Sequence, residues 1–222
     1  MFEAVIFDMD GLLFDTEEVF NLSWKELASK YQKKLTQSML DELRGTSGEK
    51  MDSIIEKYWS IKDGQSIRKE LFDISFEKLQ RNVPVKEGAY ELLDYLKTQG
   101  YPMAVASSSP KNLIMNNLEV SNSINYFNVI ISGEEVKKGK PSPDIFLLAA
   151  KKLNVEAKNC LVLEDGIHGV LAGVMAGCEV FMIPDLQQPN NEILDKKVPI
   201  YNTLLDVLAF VKKQNKGMKV PC

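Results

Sequence analysis

The chain has 222 residues, of which 45% are hydrophobic, a net charge of −4 and a pI near 5.3. This length accommodates one large domain, or a main domain with a smaller insert, around a full hydrophobic core. The acidic balance argues against nucleic acids and membrane surfaces as partners, because both favour a protein with a basic face.

The cysteines and the N-terminus indicate the cellular compartment. Three scattered cysteines, Cys160, Cys178 and Cys222, suggest neither a disulfide framework nor a zinc cluster and fit a reducing cytosol. The N-terminus lacks the basic region and cleavage site of a signal peptide, and no apolar run approaches the roughly 20 residues of a membrane span. We therefore expect a soluble cytoplasmic protein that is a monomer or a weak homo-oligomer.

The first candidate site follows the first apolar segment. The unbroken run Ala4–Phe7 is typical of a central parallel strand buried on both faces, and it ends in Asp8 and Asp10. Residues two apart at a strand end project to the same side, so both carboxylates enter one small volume. Like charges this close destabilise a fold unless a cation lies between them. Gly11 then allows a sharp turn, and the whole pattern indicates chemistry at the strand tip.

Residues 16–81 differ in character from the rest of the chain. Apolar residues recur there at helical spacing, and no segment reads convincingly as a strand. Asp15, with Glu18 three residues later, is similar to a capping box at the start of the first helix. A loop containing Gly45 and Gly48 interrupts the pattern. We predict a small all-helical domain inserted after the first strand.

From residue 82 onwards, strands and helices are predicted to alternate. Strands are expected at 101–106, 128–132, 160–163, 179–183 and 199–201. Helices are expected near 88–98, after residue 110, at 144–153, from the end of the strand at 160–163 up to residue 176, and at 203–213. The tail from Gln214 is expected to be frayed. Serine before proline, at Ser109 and Ser142, predicts a serine cap with proline as the first helical residue.

This alternation predicts the fold class. We expect an α/β fold whose core domain, residues 1–15 and 82–222, is a doubly wound, Rossmann-like parallel sheet. Residues 16–81 are predicted to form an inserted, all-helical cap domain.

Polar clusters follow several predicted strands, at the edge where ligands bind in doubly wound sheets. The clusters contain Asp8, Asp10, Ser107, Ser108, Ser109, Glu164 and Asp165, with Lys140 in a nearby loop. Four carboxylates without histidine or cysteine suit Mg²⁺ better than zinc or copper. The serine-rich helix start offers hydroxyls and backbone N–H groups to a phosphate, and Lys140 offers a mobile positive charge. Together these groups indicate phosphoryl transfer.

The charges determine which roles are possible. A carboxylate about 3.5 Å from a phosphate dianion is repelled by roughly 9 kcal/mol at an effective dielectric near 20. With Mg²⁺ and Lys140 cancelling that field, Asp8 can attack phosphorus and form an aspartyl-phosphate. Asp10 can protonate the leaving oxygen and then deprotonate the incoming water. The helical insert is a candidate lid that closes and dries the site.

Four stretches of the sequence match a known family. They are DMDGLLFDT, ASSSP, KGKPSPD and LVLEDGIHG. In order and spacing they resemble the four motifs of the haloacid dehalogenase superfamily, and more narrowly the branch that contains β-phosphoglucomutase and sugar-phosphate phosphatases. The resemblance covers nearly the whole chain, including a helical cap between the first two motifs.

The resemblance implies specific roles. Asp8 corresponds to the nucleophile, Asp10 to the acid/base, and Ser107 and Lys140 to phosphate ligands. The implied Mg²⁺ ligands are Asp8, the Asp10 carbonyl, Glu164 and Asp165.

Within the superfamily, Asp10 favours phosphate-ester chemistry, because the dehalogenases and phosphonatases lack an acid two residues after the first aspartate. The mutase that the chain resembles carries a cap histidine where this chain has Phe20, and a phosphate-gripping cap arginine where it has Gly48. We therefore predict a phosphoric monoester hydrolase for a small metabolite, a sugar or nucleoside phosphate. Two alternatives remain: a β-phosphoglucomutase-type hexose-phosphate mutase, and a non-enzymatic relative that binds a phosphorylated ligand.

Overall fold

The chain folds as two units, each with its own core. The structure is a computed structural model that describes residues 2–43, 46 and 48–217. One unit comprises Met1–Asp15 and Val83–Cys222, and the other comprises Thr16–Asn82. Among the described residues, none of the helices combines the length and the apolar character that a bilayer crossing requires.

A five-stranded parallel sheet forms the centre of the first unit. Its strands are β1 (Ala4–Phe7), β2 (Met103–Ser107), β3 (Val129–Ser132), β4 (Cys160–Glu164) and β5 (Glu179–Met182). They lie in the order β3-β2-β1-β4-β5, so β1 is central and pairs with both β2 and β4. All of β1 is buried, as its unbroken apolar run predicts. The predicted α/β fold with a parallel sheet is confirmed.

The second unit is helical wherever the structure describes regular elements. Its helices are α1 (Thr16–Lys30), α2 (Gln37–Leu43), α3 (Gly48–Trp59) and α4 (Gly64–Arg81). Their apolar faces form one buried cluster, in which Trp24 packs edge to face on Trp59 with ring centroids 5.7 Å apart. The predicted glycine loop lies only partly within the described residues, because Gly45 and Ser47 fall outside them.

Helices cover both faces of the sheet in the first unit. They are α5 (Ala89–Thr98), α6 (Lys111–Val120), α7 (Asp144–Leu153), α8 (Ile167–Met175), α9 (Asn191–Asp195) and α10 (Leu204–Gly217). Helices α7 and α8 pack on the face that contains Ile6 and Val180. Phe181 alternates with Val180 and so faces the opposite side, where it contacts Phe210 of α10 with ring centroids 5.1 Å apart. The sheet is therefore doubly wound, as predicted.

The predicted serine caps of α6 and α7 are wrong. Pro110 and Pro143 themselves occupy the N-cap positions, and neither helix has a capping side chain. Ser109 is not available as a cap because its hydroxyl donates to Asp10. Ser142 is likewise used elsewhere, since its hydroxyl donates to Asp144 Oδ1 at 2.7 Å.

The C-terminal region departs from the prediction in three places. The predicted strand at 199–201 is only a single bridge between Met182 and Ile200. The short helix α9 was not predicted, and it is capped by the Asn190 side chain, which accepts from the Ile193 N–H. Helix α10 continues past Gln214, because the Asn215 side chain is hydrogen-bonded to two tyrosines, Tyr95 and Tyr101.

Gly173 of α8 lies directly on the sheet, since a Cβ there would be 2.8 Å from Val180 Cγ2. We expect Gly173→Leu to lower the free energy of unfolding by about 1–3 kcal/mol, because the helix must move off the sheet. Urea unfolding followed by circular dichroism measures this change. Gly139→Ala is the matched control, because a Cβ there meets no atom within 4 Å. Equal stability of the two variants would contradict the packing argument.

Candidate active site

The carboxyl ends of two neighbouring strands, β1 and β4, bring the predicted acids together. Asp8 directly follows β1 and Glu164 ends β4, and the pairing of these strands places Phe7 beside Leu163. The Asp8 N–H extends this ladder by donating to the Leu163 carbonyl at 3.0 Å. Adjacent parallel strands that end in acids must present those acids side by side. The sheet therefore sets the separation of the carboxylates.

Three of the four predicted carboxylates form one cluster. Asp8, Glu164 and Asp165 each offer an oxygen, and these oxygens lie within 4.8 Å of one another. The Asp8 and Glu164 side chains are almost wholly buried. The Asp10 carboxylate belongs to a second group, in which Asp10 Oδ2 accepts hydrogen bonds from Ser109 Oγ at 2.8 Å and Ser107 Oγ at 3.1 Å. The two acids that flank Met9 thus have different surroundings.

Lys140 is buried and fixed, in contrast to the mobile charge predicted from the sequence. Its side chain is only 8% exposed. Its Nζ donates to Asp8 Oδ1 at 2.5 Å, to Glu164 Oε1 at 2.7 Å and to the Ala106 carbonyl at 3.1 Å. The same ammonium lies 4.9 Å from the centre of the Phe146 ring. These contacts use all three donors of the ammonium, so Lys140 acts first as the counterion of the clustered acids.

One lysine does not balance three acids, and the pKa values reflect this. Burial, with a further contribution from the charges of Glu164 and Asp10, raises the pKa of Asp8 to about 7, although Lys140 opposes the shift. Burial, followed by the charges of Glu164 and Asp8, raises the pKa of Asp165 to about 9. Burial alone would lower the pKa of Lys140, but Asp8 and Glu164 outweigh it and raise that pKa. The cluster is short of positive charge.

This donor set fits a divalent cation that prefers oxygen ligands. Asp8, Glu164 and Asp165 are hard carboxylate donors, and the metal-binding group found among the described residues contains neither histidine nor cysteine. Burial and the repulsion between these acids raise the pKa values of Asp8 and Asp165, and a cation among them would offset both effects.

Two glycines leave space for the carboxylates. Gly11 has a φ of +85°, and a Cβ there would lie 2.4 Å from Asp165 Oδ2. A Cβ on Gly169 would lie 1.5 Å from Glu164 Oε1. Gly11 therefore does more than permit the turn expected from the sequence, because any side chain there would displace Asp165.

The loop after β2 is shaped by its own hydroxyls. Ser107 Oγ accepts from the Ser109 N–H at 3.0 Å, and the buried Ser132 on β3 donates to the Ser109 carbonyl at 2.7 Å. Ser107 is buried, whereas Ser108 is exposed. Of the three serines predicted to bind phosphate, the structure brings Ser107 and Ser109 to Asp10, and Ser108 is not in that group.

Three residues at the same edge were not identified from the sequence. Lys86 Nζ donates to Asp185 Oδ1 at 2.8 Å, and Gln187 Oε1 accepts from the Ile167 N–H at 3.2 Å. Asp185 lies just after the end of β5, so the rule that located the other polar strand tips could have found it. Lys86 has no comparable signal, because its role depends on a partner 99 residues away.

Comparison with known proteins then identifies the family. The sequence model of the haloacid dehalogenase-like hydrolases matches residues 5–183, which include both strand tips that carry the clustered acids. The chain belongs to this family. The resemblance noted from the four motifs is confirmed, and so is the prediction of a hydrolase of this type.

Two relatives in this family are named as phosphatases. The chain is 34% identical over 215 residues to a bifunctional riboflavin kinase/FMN phosphatase from Arabidopsis thaliana, an alignment that covers 92% of the chain but only 54% of that longer protein. It is 32% identical over 178 residues to a phosphorylated carbohydrates phosphatase from Thermotoga maritima, covering 80% of the chain and 82% of the relative. The crystal structure of β-phosphoglucomutase from Clostridium difficile covers 100% of both chains, with 27% identity and a TM-score of 0.73.

The raised pKa values predict how stability depends on pH in the absence of metal. Asp8 and Asp165 have an ordinary pKa of 3.8, which rises to about 7 and about 9 in the folded protein. The folded protein therefore binds protons more tightly than the unfolded chain, so its stability should fall as the pH rises from about 4 to about 9. Thermal unfolding in EDTA measures the trend. Asp165→Asn should flatten it, and a melting temperature that rises throughout this range would contradict the assignment.

Proposed function

We propose that this protein is a Mg²⁺-dependent phosphatase that hydrolyses a small phosphomonoester through an aspartyl-phosphate. The observation that supports this most directly is the pairing of Asp8 with Lys140 inside a cluster of acids, beside a second acid held by serine hydroxyls. Phosphatases among the relatives in the same family support the same reaction.

Asp8 is the nucleophile in this proposal. It lies at the tip of the central strand, where its backbone N–H is bound to β4 and its carboxylate is held by Lys140. Lys140 donates to Asp8 Oδ1 and lowers the cost of bringing a phosphate dianion close to that carboxylate. In the first half-reaction, an Asp8 oxygen bonds to phosphorus while the bond from phosphorus to the ester oxygen breaks.

Asp10 is the acid and base. It is two residues from the nucleophile, and Ser107 and Ser109 hold its carboxyl group at the loop after β2. A protonated Asp10 gives its proton to the leaving ester oxygen in the first half-reaction. The resulting carboxylate then takes a proton from water, whose oxygen attacks phosphorus, releases inorganic phosphate and restores Asp8.

The cation site in this proposal consists of Asp8, Glu164 and Asp165, with the Asp10 carbonyl added from the resemblance. A bound Mg²⁺ supplies positive charge that neutralises the acids and polarises the phosphoryl oxygens. The chain's own residues fix the carboxylates for this task. Gly11 and Gly169 leave space for Asp165 and Glu164 at the end of β4, and the Gly166 N–H donates to Glu164 Oε2 at 2.8 Å.

Phosphate binding is assigned to the serine loop and Lys140. Ser107, Ser108 and Ser109 bring hydroxyls and backbone N–H groups to the tip of β2, and Ser132 fixes the loop from β3. The substrate is a small phosphorylated metabolite, a sugar or nucleoside phosphate, and the inserted helical unit acts as the cap.

A hexose-phosphate mutase is the second candidate, supported by the match to β-phosphoglucomutase along the whole chain. Two positions in the helical unit favour hydrolysis instead. Gly48, at the start of α3, replaces the arginine that grips the second phosphate in the mutase resembled here. Phe20 replaces the cap histidine and packs edge to face on Phe72, with ring centroids 5.5 Å apart. A mutase must hold a bisphosphate at both ends, and Gly48 provides no charge for this.

The central test is the nucleophile. With Mg²⁺, the wild-type protein should release inorganic phosphate from at least one ester in a panel of sugar and nucleoside monophosphates. Asp8→Asn should abolish turnover, because an amide cannot form the phospho-enzyme. Asp73→Asn, an exposed carboxylate in α4, is the control and should retain full activity. Wild-type activity on no ester in a broad panel, or full activity in Asp8→Asn, would contradict the proposal.

A second assay separates hydrolysis from the mutase reaction. Wild-type protein is incubated with β-glucose 1-phosphate and a glucose bisphosphate primer, while free phosphate and glucose 6-phosphate are both followed. We expect phosphate to appear first, because Gly48 offers no cation to retain the bisphosphate. Formation of glucose 6-phosphate ahead of phosphate would favour the mutase. If Asp8→Asn forms as much of these products as the wild type, both the phosphatase and the mutase reaction through Asp8 are ruled out.

A further inference from the structure

We infer that Asp185, held in place by Lys86, is a positioning residue for the cation site, acting from the side of Asp165. The inference rests on the proposed function, because it concerns the cation that the three clustered acids would bind. It adds two positions, Lys86 in the segment before α5 and Asp185 just after β5, to a site otherwise built from the ends of β1, β2 and β4.

Asp185 is firmly anchored. Its Oδ1 accepts from Lys86 Nζ at 2.8 Å, and the two side chains are only 18% and 23% exposed. The Lys86 backbone N–H donates to the Leu13 carbonyl at 2.9 Å, which ties the lysine to the loop that carries Asp10 and Gly11. The carboxylate of Asp15 also lies 3.6 Å from Lys86 Nζ. The charge on Asp185 therefore has a fixed position.

The second oxygen of Asp185 is the unusual one. Asp185 Oδ2 is buried and makes no hydrogen bond with any group that the structure describes. A buried carboxylate oxygen without a donor is costly, on the order of 1–3 kcal/mol or more. An ion pair that served only to fasten two loops would be cheaper if both oxygens were satisfied or exposed. Asp185 Oδ2 is therefore an acceptor that can take a hydrogen bond from water or from a bound ligand.

Two contacts connect Asp185 to the strands and loop that carry the clustered acids. The strand before it is joined to the acid-bearing strand, since the Ile183 N–H donates to the Glu164 carbonyl at 2.7 Å. Asp185 and Gly11 line the same cavity, of about 250 Å³, and Gly11 is the glycine against which Asp165 packs.

These contacts give Asp185 a defined task. Mg²⁺ usually keeps several of its waters when a protein binds it, and those waters are donors that a nearby acceptor can orient. Carboxylates outside the ligand set commonly act in this way, and their loss costs 10–100-fold in metal affinity. Asp185 Oδ2 offers such an acceptor and adds negative charge that attracts the cation, while Lys86 prevents it from joining the ligands themselves.

The test measures Mg²⁺ binding directly, by isothermal titration calorimetry on the full chain without substrate. Asp185→Asn keeps the shape of the side chain but removes its charge, so we expect Mg²⁺ affinity to fall by about 10–100-fold. Asp15→Asn is the matched control, because it removes a carboxylate from the same lysine, and it should leave the affinity nearly unchanged. Asp185→Glu, which retains the charge, should recover part of the loss.

A structural role alone gives a different result. If the pair only fastens two loops, Asp185→Asn will lower the metal-free melting temperature and leave the Mg²⁺ dissociation constant unchanged, which would overturn the inference. An equal loss of affinity in Asp15→Asn would overturn it as well. If Asp185→Asn fails to fold, the Mg²⁺ dissociation constant of Asp185→Ala is measured instead, and an unchanged value would likewise overturn the inference.

The outcome is separable from that of the proposed function. Loss of Mg²⁺ affinity in Asp185→Asn, with no ester hydrolysed by the wild type, would support the inference and contradict the phosphatase. Mg²⁺-dependent hydrolysis by the wild type, with unchanged Mg²⁺ affinity in Asp185→Asn, would support the phosphatase and contradict the inference about Asp185.

Discussion

The structure depends on a balance of charge at the end of its central strand. Three carboxylates share a buried space with one ammonium, that of Lys140, which binds two of them directly. Burial makes each of these charges costly, and the surplus of negative charge raises the pKa values of Asp8 and Asp165. Such a cluster is unfavourable for folding unless further positive charge compensates it.

The sheet makes this arrangement possible. A central parallel strand needs an apolar residue at every position, and β1 satisfies this over Ala4–Phe7 before the first acid appears. Its pairing with β2 and β4 then fixes the spacing between the serine loop, Asp8 and Glu164. Residues more than 150 positions apart, such as Asp8 and Glu164, become neighbours because of strand order, and no feature of local sequence would bring them together.

Much of this could be predicted from the sequence, because the signals were local. Buried strands appear as apolar runs, and polar residues that follow them lie at a common edge. The predictions failed where a side chain had a competing partner. Ser109 does not cap α6 because Asp10 takes its hydrogen bond, and Lys140 is not a mobile charge because Asp8, Glu164 and Ala106 fix it. Asp185 follows a predicted strand and could have been found by the same rule, whereas Lys86 has no local signal because its partner is 99 residues away.

Ser132 has a consequence beyond its own strand. It ends β3, the outermost strand on one side of the sheet, and its hydroxyl donates to the Ser109 carbonyl while Ser109 donates to Asp10. Ser132 and Ser109 therefore connect the Asp10 carboxylate to the edge strand of the described sheet. A displacement of Ser132 would alter the position of Ser109, one of the two serines whose hydroxyls hold the Asp10 carboxylate.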